Sequence, residues 1–425
     1  MGVSKHVNRR NLLKGGSALI ALPAILKVSR ASAQSATFKI GYVSPQTGPL
    51  AGFGEADAFI VEKAKAAFAG IKNHGKPVNV EVIVKDSQSN SNRASEVTVE
   101  LIERNKVDLV VASSAPDTTN PVADQCELSE TPCITTVCPW QPYFFGRNGD
   151  PATGFNYTYH FFWGLEDVTE NYINLWNGSG VGKTIGGLFP NDADGNAWGD
   201  PKLGFPKPLA DAGYKLVDPG RYQVMNNDFS SQIAAFKAAG CEITTGNMIP
   251  PDFATFWSQA AQQQFKPRVV TIGKALLFPS VIASLGARGD GLTTEIWWTP
   301  SHPFTSSLTG QSAKQLADAY TAATGRGWTQ PIGFIHALFE LSADIIKRAD
   351  ALDDHKAVLA ALKATDLNTV VGSVNWKGKG PFKNVKRTPL VAGQWQLSNG
   401  KPDLVITDNK AYPAIPVGGK LKLIG

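Results

Sequence analysis

Short apolar runs alternate with amphipathic helical segments along most of the chain, and this alternation constrains the fold more than any other feature. FKIGYVSP (38–45) reads as a first strand, and VNVEVIV (78–84) sets Val78, Val80, Val82 and Val84 on one strand face. ASEVTVELIERNK has helical spacing, VDLVVASS is a continuously apolar strand, TNPVADQCELSE is a helix and TPCITTV the next strand. The pattern pauses at GDPATGFNYTYHFFWG and restarts: VTENYINLWN (helix), KTIGGLFPND (strand), FSSQIAAFKAAG (helix), CEITTGNMIP (strand), FATFWSQAAQQQF (helix) and PRVVTIG (strand). Continuously apolar strands separated by helices imply a parallel sheet covered on both faces. A long helix near GFIHALFELSADIIKRA precedes a strand-rich end, NTVVGSVNW and then LVAGQWQLSNGKPDLVIT, which reads as a hairpin. The expected fold class is α/β, with two doubly wound lobes in series and aromatic crossovers at 155–163 and 297–304.

The N-terminus has the order of an export signal: Arg9-Arg10, an apolar stretch from Ala18 to Leu26, and a small-residue cut site at Ala31-Ser32-Ala33. The apolar stretch is too short to span a bilayer, and the arginine pair resembles a twin-arginine signal. Residues 1–33 are therefore expected to be removed, and with no cysteine near the cut no lipid anchor is expected. They carry Lys5, Arg9, Arg10, Lys14, Lys27 and Arg30 and no acid; the chain's 41 basic residues less these six leave 35, against 36 acidic ones. The basic excess thus belongs to the signal, and nothing in the charge calls for nucleic acid or an anionic membrane. An exported chain can form disulfides, and Cys126 and Cys133, seven residues apart across a helix-to-strand turn, are the expected pair. Cys138 and Cys241 complete the set, and no zinc-binding spacing or other metal motif occurs.

NGSGVGKT (177–184) is one residue short of a phosphate-binding loop, with Asn177 in place of the first glycine. Such a loop needs a strand before it and a helix after it. Here Val168, Tyr172, Leu175 and Trp176 have helical spacing and TIGGLF is a strand, so the order is reversed. The segment is expected to be a helix C-terminal turn that binds no nucleotide, with Lys183 at the negative end of the helix. TGPLAGFGEADAF (47–59) is not a dinucleotide fingerprint either: Asp57 holds the third position and Glu55 would repel a pyrophosphate. It reads as a tight turn or as a backbone N–H surface facing a ligand. Neither G-x-S-x-G nor H-E-x-x-H occurs, and His74, His160, His302, His336 and His355 stand singly. His336 reads as a packed core residue. No nucleophile, base and orienter can be named together, so catalysis is not expected and no cofactor is called for.

FKIGYVSPQTGPLAGFGE resembles the opening of type I periplasmic binding proteins of the leucine/isoleucine/valine-binding group, the soluble receptors of ABC importers. The likeness continues through DLVVASSAPDTTNPVADQCE, TPCITTVCPW, IPPDFATFWSQAAQQQFKP and VVGSVNWKGKG, and covers about residues 37–396. It implies two lobes joined by a hinge: residues 37–160 with about 300–375, and 161–299 with about 376–425. It also implies a ligand held between the lobes, a permease in the inner membrane as partner, a periplasmic location and a monomer.

Carried over onto this sequence, the resemblance implies a first-lobe ligand set of Ser114, Asp117, Thr118 and Thr119, followed by Cys138 and Trp140. The family's Ala-Thr reads Cys138-Pro139 here, which removes a hydroxyl and an N–H from the carboxylate site. Asp252 falls where the family binds a ligand ammonium, and it is equally well placed as a helix N-cap. Trp198 and Phe53 match lining aromatics, and Lys274 follows a strand as an anion partner. Trp140, Tyr143, Trp163, Trp198, Trp297 and Trp298 stand near the expected cleft and suit a ring-bearing or apolar ligand. Amino acids, amides and aromatic acids all remain open. Two other readings stay beside this one: a sensor of the same fold coupled to a receptor or regulator, and an exported enzyme using Cys138.

Overall fold

The computed structural model describes residues 1–2 and 36–425, so the expected export signal lies outside the described residues. Among the described residues, no helix is long and apolar enough to cross a membrane. In chain order the strands are β1 (Ala36–Ser44), β2 (Lys72–Asn73), β3 (Lys76–Asp86), β4 (Leu109–Ser113), β5 (Cys133–Thr136) and β6 (Thr158–Phe161). Next come β7 (Thr184–Leu188), β8 (Lys215–Val217), β9 (Ile243–Met248), β10 (Val269–Lys274) and β11 (Thr293–Ile296). Last are β12 (Asp366–Thr369), β13 (Gly372–Asn375), β14 (Val385–Lys386), β15 (Val391–Ser398) and β16 (Lys401–Asp408).

Two seven-stranded sheets result, ordered β14-β6-β5-β4-β1-β3-β2 and β16-β15-β11-β10-β9-β7-β8. β4, β5, β9 and β10 are buried along their whole length. That is the condition of central parallel strands with helices on both faces, and it is why they read as apolar runs. In each sheet the order reverses at its first strand, β1 flanked by β3 and β4, and β7 flanked by β8 and β9. In such sheets ligands bind beyond the carboxyl ends of the strands, beside the reversal. β15 and β16 close the second sheet as an antiparallel hairpin.

The chain passes between the lobes after β6, after β11 and after β14. The third passage falls later than the expected boundary near 375, because β14 pairs with β6 in the first sheet. β14 is only two residues long, with Asn384 and Lys386 on either side of its single valine along GPFKNVKRTP, so no apolar run marks it.

Polar side chains fix the passages. The Gln330 amide accepts hydrogen bonds from the N–H groups of Trp297 (2.8 Å) and Trp298 (3.4 Å), and donates to the Glu295 carbonyl (3.1 Å). Gln141 accepts from Leu165 N–H (2.8 Å), and Glu166 accepts from the Trp140 indole (3.0 Å). Arg387, next to β14, pairs with Glu166 (3.2 Å) and Asp167.

Two expectations about single residues change. Cys126 and Cys133 are both buried as free cysteines rather than as a disulfide. Both sit in an apolar cluster with Val110 and Val122, where a thiol packs as a small hydrophobe. At NGSGVGKT, helix Leu165–Asn177 runs into a turn and then β7, the expected order. Lys183, however, donates to the carbonyl of Ala212 (3.0 Å), at the end of helix Pro206–Asp211, rather than to its own helix. The N–H of Gly182 is taken by the Glu242 carboxylate (2.5 Å).

Candidate functional site

A narrow cavity lies where the two sheets face each other. The first lobe and its passage supply Phe53, Ala115, Val137, Pro139, Phe162 and Trp163; the second supplies Asp194, Trp198, Lys274, Leu277, Glu295 and Trp297. The topology explains this set. Val137 directly follows β5, Phe162 follows β6, Lys274 ends β10 and Trp297 follows β11. The lining therefore comes from carboxyl ends of parallel strands.

The backbone is strained at two of these positions. Val137 has φ +73° and Lys274 φ +58°, a region that non-glycine residues seldom occupy, β-branched ones least of all. Strain of this kind persists where the surroundings over-determine it, and it concentrates at ligand sites. Gly273, just before Lys274, admits no side chain: a Cβ there would stand 2.9 Å from the Trp198 ring and 3.2 Å from Glu295.

All charge on the wall comes from the second lobe. Lys274 Nζ lies 2.9 Å from Asp194 Oδ2 and 3.0 Å from Asp192 Oδ2. Burial opposes the charge on Lys274, but Asp192, Asp194 and Asp117 outweigh it and hold the ammonium well above its ordinary range. Burial pushes Asp194 up to about 6 despite Lys274, and pushes Glu295 up to about 7. Glu295 accepts hydrogen bonds from Tyr172 and from Thr294 (3.0 Å). Four buried polar atoms of the lining have no partner within the protein: Asp194 Oδ1 and the indole Nε1 of Trp163, Trp198 and Trp297. Buried polar groups are nearly always paired, so such a cluster in a cavity marks groups that a ligand or water can satisfy.

Residues 37–401 match the Periplasmic binding protein family. The chain belongs to this family. No curated protein matches it in sequence. Among solved structures, a solute-binding protein of an ABC transporter from Rhodopseudomonas palustris BisB5, in complex with 3,4-dihydroxybenzoic acid, is similar with a TM-score of 0.70 at 18% identity, covering 88% of this chain and 96% of that one. The leucine-binding protein LivK of Thermotoga maritima gives 0.70 at 17% identity, covering 88% and 99%. A benzoate complex of another R. palustris solute-binding protein gives 0.66 at 16% identity, covering 87% and 96%. At these identities the likeness speaks to the fold.

In this periplasmic binding protein, five of the residues singled out from the sequence line the cavity: Phe53, Trp163, Trp198, Lys274 and Trp297. The others lie elsewhere. Asp117 sits behind the wall, where it accepts the N–H of Ala193 across the lobes (3.3 Å). Ser114 is buried with an unpartnered hydroxyl, while Thr118 and Thr119 donate to Ala115 O (3.3 Å) and Ser114 O (2.9 Å) inside their own helix turn. Trp140 turns away onto Glu166, Phe145 and Phe382.

Asp252 neither lines the cavity nor caps its helix. The cap of helix Pro250–Gln262 is Ile249, and Asp252, a turn further on, accepts Met225 N–H (3.3 Å). The neighbouring Pro250 and Pro251 shift the helix start back, so the aspartate falls inside it.

Cys138 is fully buried, and burial pushes its thiol up, away from the thiolate that nucleophilic chemistry needs. Its neighbour His160 places Nε2 2.8 Å from the Cys138 carbonyl and Nδ1 2.8 Å from the Thr135 hydroxyl, so both ring nitrogens are engaged. The sulfur, 4.0 Å from Nε2, has no base directed at it. His336 is a core residue, bonded to the Ser306 hydroxyl (2.8 Å).

Asp194 and Glu295 were missed by sequence reasoning. The first stands four residues before Trp198 in NDADGNAWG, which is a usable signal. The second sits in TTEI, a short strand whose polar residues give no hint of burial.

Proposed function

We propose that this protein is the solute-capturing component of an ABC importer: it takes up a small organic molecule between its lobes, closes by the hinge, and presents the closed form to a permease in the inner membrane. The observation that carries this reading is the cavity at the facing strand ends, walled by both lobes and holding unpartnered polar atoms. Its aromatic walls with a few convergent polar groups suit one small solute such as an amino acid, amide or aromatic acid. Structurally similar proteins were solved with 3,4-dihydroxybenzoic acid, isoleucine and benzoate, solutes of that size. Ligand contacts with both lobes would shift the population toward the closed form. In this reading the protein works in the periplasm as a monomer, without a cofactor, and ATP concerns only its membrane partner.

A thermal-shift screen of amino acids, amides, amines and aromatic acids tests it. The expected result is a saturable rise in Tm with one class, abolished in Trp198→Ala and without turnover of the ligand. Consumption of the bound compound would sink the reading.

A further inference from the structure

The charge in the cavity and its aromatic walls together narrow the solute beyond the proposed function, on which this inference rests. Lys274 is the only basic side chain on the wall among the described residues. Its ammonium is already engaged by Asp192 and Asp194. Asp117 stands nearby in the first lobe, so three carboxylates act on one ammonium. An anionic solute would add a further negative charge with no free cation to meet it.

The first lobe offers an anion no positive charge either. Its part of the wall carries no charge and no hydroxyl, and Pro139 has no N–H to donate. The adjoining helix Pro116–Leu128 starts with another proline and bears Asp117 in its first turn, which cancels the attraction of a helix N-terminus for negative charge.

The same features favour a cation. Phe53, Phe162, Trp163, Trp198 and Trp297 surround the space, and aromatic faces, those of tryptophan above all, attract a desolvated ammonium. Asp194 Oδ1 is an acceptor without a donor, on a residue only 4% exposed. The three unpartnered indole N–H groups call in turn for an oxygen acceptor on the solute. We infer that the solute is a small ring-bearing amine, protonated at neutral pH and carrying an acceptor oxygen, with its ammonium on Asp194 and its ring between the indoles.

Calorimetric titration of the full chain with three ring compounds of similar size and different charge tests this: tyramine, 4-hydroxybenzamide and 4-hydroxybenzoate. Tyramine is expected to bind at least tenfold more tightly than either of the others. Asp194→Asn is expected to lose at least tenfold in tyramine affinity. The ligand comparison uses the unaltered chain, so it stands even if the variant fails to fold. Tighter binding of the benzoate or the benzamide would overturn the assignment of charge and leave solute capture standing. Absence of binding by all three, with no small molecule found by mass spectrometry in protein purified from cells, would overturn both.

Discussion

Glu340 lies in the middle of the buried helix Pro331–Arg348, in no ion pair among the described residues, and accepts hydrogen bonds from Ser307 N–H (2.5 Å), the Ser307 hydroxyl (2.9 Å) and Val370 N–H (3.0 Å). Burial pushes it up from the usual 4.5 to about 7, against these hydrogen bonds. The folded chain therefore holds this proton more tightly than the unfolded one. The associated stability is complete below about pH 4.5, and is lost as pH rises through about 7. The span corresponds to roughly 3 kcal/mol. Glu340→Gln, which resembles the protonated acid, should narrow the fall in Tm between pH 5 and pH 8; an unchanged fall would show that Glu340 titrates normally. Asp57 and Glu295 shift the same way and keep part of the slope. Residues of this kind explain the limits of reading the site from sequence. Phe53, Trp198 and Lys274 were legible because each belongs to a recognisable strand-end or aromatic pattern. Asp194 and Glu295 were not, since a carboxylate's burial depends on which distant strand ends converge on it. Asp252 misled because a good cap residue and a good ligand residue look alike.

Elements were more legible than side chains. The central strand β4 follows directly from a nearly unbroken apolar run, and the reversed helix–turn–strand order at NGSGVGKT follows from spacing alone. The short strands β2, β6, β8, β11 and β14 escaped; β14 is too short to carry a pattern, and its place is set by pairing with β6. The turn itself invites a test. Gly180 has φ +70° and a Cβ there would meet nothing within 4 Å, so Gly180→Ala changes backbone strain without a clash. The expected loss is about 1 kcal/mol in denaturant unfolding. ATP titrated into the unaltered chain should show no saturable binding, because Glu242 occupies the Gly182 N–H. Saturable ATP binding would restore the phosphate-loop reading.

Across the whole molecule, the lobes meet at the cavity mouth, where Phe53 and Phe278 pack edge to face at 5.2 Å. Gly52 makes room for that contact, since a Cβ there would lie 2.9 Å from the Phe278 ring. Phe278→Leu retains apolar bulk and removes the aromatic pair, worth about 1 kcal/mol. If the contact belongs to the closed form, ligand dissociation should quicken by about fivefold with little change in association. Stopped-flow tryptophan fluorescence would measure both rates, and equal dissociation from the two proteins would remove Phe278 from the closing contact. The strand order has a further consequence for the chain's birth. β14 completes the sheet begun by β1, and β15 with β16 completes the sheet begun by β7. The first sheet is incomplete until Lys386 has left the ribosome and the second until Asp408 has, so a nascent chain halted near residue 370 should hold two unfinished sheets rather than one finished lobe.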